Sequence, residues 1–89
     1  METISSHVDR WFELLDGRVV RSGREYQRLR VLGMYVDGEA LWIQVARDAR
    51  TRSTGLLLHV QPHATTDDVL AAIAESPMDE YRIDVAHAA

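Results

Sequence analysis

The sequence predicts a two-layer α+β domain with helices against a mainly antiparallel β-meander, in the order α-β-β-β-β-α-β. Three observations carry this reading. Apolar residues recur at helical spacing in "SSHVDRWFELLDG" and in "HATTDDVLAAIAESP". The period changes to two between Gly17 and Gln61, and the dipeptides "SG" and "DG" divide that region into β-prone runs. Strands grouped between helices favour helices segregated to one side of an antiparallel sheet.

The first helix is expected from about residue 5 to 16. Ile4, Val8, Trp11, Phe12 and Leu15 fall on one face, with Asp9, Glu13 and Asp16 opposite. Ser6 with Asp9 has capping-box spacing, and Gly17 suits the left-handed residue that ends a helix. Strands are then expected at about 18–21, 25–36, 40–47 and 55–61. The second run slips in phase: Leu29 and Val31 share one face, whereas Met34 and Val36 sit in the other phase, and a bulge at Gly33 reconciles them. The second helix is expected over about 66–76. Thr65 and Asp68 form its capping box, Val69, Leu70 and Ile73 its buried stripe, and Pro77 its stop. Alternation of Tyr81, Ile83 and Val85 with Arg82 and Asp84 gives a last strand at about 80–86, either parallel to an earlier strand or antiparallel at an edge. Residues 1–89 read as one small domain, with 87–89 a frayed tail.

Composition removes many chemistries. The 89 residues contain no cysteine, which excludes disulfides, thiolate metal sites and cysteine nucleophiles. All ten basic residues are arginine, so Schiff-base and P-loop lysine chemistry is excluded as well. The N-terminus lacks a basic-then-apolar signal pattern, and the longest apolar run, "VLAAIA", is too short to span a bilayer, so no membrane association and a cytoplasmic location are expected. The serines occupy cap, turn or helix-end contexts, and no cofactor or catalytic residue is expected.

The net charge of −4 hides a dipolar chain. Eight arginines in residues 18–52 face Glu25, Asp37, Glu39 and Asp48, a balance of +4, whereas residues 1–17 balance to −3 and 53–89 to −5. If the four strands form one meander, the turn "RSGR" and the loop "RDARTR" lie at the same end of the sheet. That arrangement would gather Arg21, Arg24, Arg47, Arg50 and Arg52 into an anion- or partner-binding cluster, since guanidinium forks match carboxylate and phosphate geometry. The bland alternative is a set of solvated turn residues.

The natural core face holds Leu41, Ile43 and Val45 with Leu56, Leu58 and Val60. The second face then carries Trp42, Gln44, Leu57, His59 and Gln61, with Arg28 and Arg30 if the second strand is in register. Trp42, Leu57 and His59 are expected to form an interface, unless the first helix covers them. His59 and His63 have metal-ligand spacing, but Pro62 interrupts the strand and no third ligand is near in sequence, so no metal site is expected. These features predict a non-catalytic interaction or regulatory module for a protein partner with an acidic surface, and a homodimer through the second face. A nucleic-acid-binding domain is the alternative, against which stands a pI near 5.4. A small oligomeric ligand-binding domain or enzyme is the second alternative.

Overall fold

The computed structural model describes residues 4–22, 25–46, 55–75 and 82–86. Helix α1 (Ile4–Leu15) is followed by β1 (Val19–Ser22), β2 (Glu25–Arg28), β3 (Arg30–Asp37), β4 (Ala40–Ala46), β5 (Leu56–Val60), α2 (Thr66–Glu75) and β6 (Arg82–Val85). The α+β class and the helices on one side of a mostly antiparallel sheet are as the periodicity predicts. The strand order β3-β4-β5-β6 is antiparallel except for β5 and β6, which pair in parallel across the α2 crossover.

The run expected as one strand over 25–36 is two strands. Leu29 separates them: its N–H donates to Arg18 O and its carbonyl accepts from Gly17 N–H, so this residue pairs with the α1–β1 connection. Its side chain is buried in the core. Thus β1 and β2 form a separate antiparallel hairpin, which packs against α2. Arg28 consequently pairs with Val19 in that hairpin and does not join the second face of the main sheet. The expected bulge is present one residue earlier than Gly33. Val31 opposes Val45 and Gly33 opposes Gln44, leaving Leu32 as the extra residue that flips the alternation.

Alternate residues of β4 and β5 enter the core, and these are Leu41, Ile43, Val45, Leu56, Leu58 and Val60. Leu15 of α1, Val69 and Ile73 of α2, Val20, Leu29 and Val85 complete the buried cluster, with Val8 and Trp11 packed on it. Both helices therefore cover the same sheet face, and the alternative in which α1 covers Trp42 is corrected. Phe12, expected on the buried stripe, is 46% exposed. On a helical wheel it lies at the border of the Val8–Trp11–Leu15 stripe, turned away from the sheet.

The helix begins at Ile4, so position 6 lies inside α1 and not at its N-cap position as expected. Gly17 adopts φ of 81° and ends that helix as expected. At α2 the capping box is complete: Asp68 N–H donates to Thr65 Oγ1 at 3.2 Å, and Thr65 N–H donates to Asp68 Oδ2 at 2.8 Å. Thr65→Ala removes one acceptor at the helix start and is expected to lower stability by about 1 kcal/mol in urea denaturation.

Candidate functional site

The sheet face opposite the helices is built by register. Tyr35, Trp42, His59 and Asp84 lie side by side across β3, β4, β5 and β6. Gly33, Gln44, Leu57 and Arg82 form the next row in the same way. Asp37 and Arg30, near the two ends of β3, point to this face too, because the bulge at Leu32 restores the phase. Neither helix lies on it.

The central group is held by mutual contacts. The Trp42 and His59 rings stack with centroids 4.2 Å apart and an interplanar angle of 18°. The Arg82 guanidinium lies over the Trp42 ring, 4.7 Å from its centroid. Trp42 Nε1–H donates to Asp37 Oδ2 at 3.2 Å. His59 has a side chain only 16% exposed, with a carboxylate on each side. Nδ1 is 3.1 Å from Asp84 Oδ1 and 3.3 Å from Gln61 Nε2. With a proton on Nδ1 the ring donates to Asp84; with a lone pair there it accepts from Gln61, so either ring state has a partner. Nε2 sits 3.2 Å from Asp37 Oδ2 but makes no well-aligned hydrogen bond, and the contact is a charge pair when the imidazole is protonated.

The two carboxylates flank the imidazole on opposite sides, so they do not converge on one point. Among the described residues no group of three or more His, Asp or Glu side chains is arranged to hold a metal ion. Tyr35, 60% exposed, folds back over Gly33, where an added Cβ would lie 3.1 Å from the Tyr35 hydroxyl oxygen. A glycine at 33 therefore leaves room for the tyrosine ring on this face.

The sequence-expected interface residues Trp42, Leu57 and His59 do share one face. Tyr35, Asp37, Arg82 and Asp84 were not singled out from sequence, because placing them beside Trp42 requires the β3 bulge and the parallel β5–β6 register. Of the arginine cluster, Arg24, Arg47, Arg50 and Arg52 lie outside the described residues. Arg21 is on β1, in the separate hairpin, with its guanidinium 6.0 Å from the Tyr26 ring centroid. The single meander on which that cluster was premised is divided at Leu29. His63 is exposed in the turn entering α2, away from the strand that carries His59.

A concavity lies on the helical side. It is a cleft of about 680 Å³ between α1 and the β3–β4 turn, with Trp11, Leu41 and Val60 on its walls and Arg10, Glu39 and Thr65 at polar positions.

The fold and the sheet face opposite the two helices define a two-layer α+β protein with an ordered aromatic and charged surface. Among the described residues no helix is long and apolar enough to cross a membrane. Comparison of the chain with protein-family models, with curated proteins and with solved structures finds no significant match in any of the three.

Proposed function

We propose that this chain is a non-catalytic interaction module that docks a protein partner on the open face of its four-stranded sheet. The observation that carries the reading is the row of exposed Tyr35, half-buried Trp42 and half-buried His59 beside Arg82 and half-buried Leu57, on the face that neither helix covers. Trp42 and Leu57 supply apolar area, and Arg82 supplies a planar donor set for an acidic partner surface. Because Trp42 is already braced by His59, Arg82 and Asp37, little side-chain freedom is lost on docking. Arg21, Arg24, Arg47, Arg50 and Arg52 enter this proposal only as positive charge in the chain that favours an acidic partner, without a shared position, and a cysteine-free chain suits a reducing, cytoplasmic setting.

Nucleic acid is the less favoured ligand of this face. The Trp42 ring is engaged by His59 and Arg82, which leaves it poorly placed to stack a base, and Asp37 and Asp84 would repel phosphates. The test is capture of partners from a lysate of the native host by the tagged wild-type protein and by the variant Leu57→Arg. Leu57 points out of the core, so the variant is expected to keep its melting temperature within a few degrees. A protein enriched by the wild type should lose roughly thirtyfold in affinity for the variant, as expected at an interface anchor. Equal capture by both overturns the proposal, and salt-sensitive binding of an oligonucleotide in its place favours the alternative.

A further inference from the structure

The two edges of the main sheet differ in chemistry. β6 is a short edge of four residues with Arg82 and Asp84 alternating along it, the kind of charged edge that resists strand addition. β3 is an eight-residue edge with no charge between Arg30 and Asp37, and it exposes Leu32 at 46%, Tyr35 at 60% and Val36 at 50%. No strand among the described residues pairs with its outer side.

The backbone groups available there follow from the hairpin. The two-residue loop Gly38–Glu39 places Asp37 opposite Ala40. A loop of that length closes on a pair that exchanges both hydrogen bonds, and such pairs then alternate with pairs whose backbone groups point outward. Counting back, Tyr35 and Gly33 bond to β4, whereas Met34 and Val36 direct N–H and C=O away from the sheet. At the start of the strand the edge is closed, because Val31 N–H donates to Asp16 Oδ1 at 3.0 Å.

We propose that this edge binds a second copy of the same chain, β3 against β3 in antiparallel pairing about Tyr35. Met34 of one copy then faces Val36 of the other, and the outward groups of the two copies meet in two reciprocal pairs giving four hydrogen bonds. The faces also match: Met34 and Val36 both lie on the helical side, and the two Tyr35 side chains both lie on the open side. Charge complementarity selects this occupant and this direction. The apolar segment 31–36 is preceded by Arg28 and Arg30 and followed by Asp37 and Glu39, so antiparallel self-pairing sets the basic end of each copy against the acidic end of the other. With Leu32 as the extra residue, Arg30 comes opposite Glu39 of the other copy. A parallel pair would oppose like charges. The result is a two-fold dimer with one continuous sheet whose open face remains available, so the dimer does not depend on the docking function proposed for that face.

Sedimentation velocity on the full chain across the micromolar range tests this directly. The wild type is expected to shift from monomer to dimer with concentration. Y35K sets two ammonium groups beside each other at the two-fold axis and is expected to be monomeric, with circular dichroism and a cooperative melt like those of the parent. V36P removes an outward N–H without touching a bond to β4 and should behave alike; if it does not fold, Y35K alone decides. R30E and E39R should each weaken the dimer roughly tenfold, since each reversal acts at two places, and the double variant R30E/E39R should restore it. A wild type that stays monomeric throughout overturns the proposal. So does a dimer that survives Y35K and dissociates with Leu57→Arg, which would place the contact on the open face.

Discussion

Gly55→Ala is expected to destabilise the protein by about 2–4 kcal/mol, while Gly38→Ala costs only about 1 kcal/mol. Both glycines have positive φ, at 86° and 60°, so both substitutions force a side chain into a backbone region it disfavours. Their surroundings separate them. A Cβ on Gly38 meets nothing within 4 Å, whereas one on Gly55 lies 2.5 Å from the Val45 carbonyl oxygen and 3.2 Å from Ala46 N. Those atoms belong to β4, the central strand that binds both β3 and β5, and a backbone atom cannot swing aside as a flexible side chain can. The sheet must shift to admit the methyl group. Urea midpoints of the two variants measure the difference, and equal losses would mean that the close approach of Gly55 to Val45 does not exist in solution.

Leu58→Ala is the second large effect, expected at about 2–5 kcal/mol from lost burial and the cavity left behind. Leu58 is fully buried on β5, between β4 and β6 and beneath the helices. A chain of 89 residues has a total stability on the order of 5–15 kcal/mol, so this variant should lose a large share of it and melt well below the parent. Its neighbour Leu57 points to the open face, and Leu57→Ala should cost less than about 1.5 kcal/mol. Thermal melts followed by circular dichroism compare the two. A larger loss at 57 than at 58 would place the core on the other side of the sheet.

Much of this architecture was legible from residue spacing. Leu41, Ile43 and Val45 alternate with polar or half-buried neighbours, as do Leu56, Leu58 and Val60, and a period of two allows only one core face for each strand. The phase slip around Gly33 was equally informative, because an extra residue is the simplest way to bring Val31, Met34 and Val36 to one side. The break at Leu29 was hidden. "QRLRV" alternates without interruption, and only the hydrogen bonds of Leu29 to Gly17 and Arg18 distinguish a chain that leaves one sheet for another from a continuous strand. Pairing with a distant segment leaves no periodic trace. For the same reason Trp42, Leu57 and His59 could be assigned to one face within β4 and β5, but Arg82 and Asp84 could not be added, since their placement depends on a parallel register reached through α2. The arginine cluster rested on turn positions in an unbroken meander, and that premise ended at Leu29.

The most direct test of the docking account is an NMR titration of the isotopically labelled protein with the captured partner. Shifts are expected at the Trp42 indole N–H, at Tyr35, Leu57, His59 and Arg82, and along the solvent-facing backbone of β4 and β5, with α1 and α2 almost unmoved. Perturbations confined to Val8, Trp11, Glu39 and Thr65, with the Trp42 indole unchanged, would place recognition in the helical cleft and contradict it.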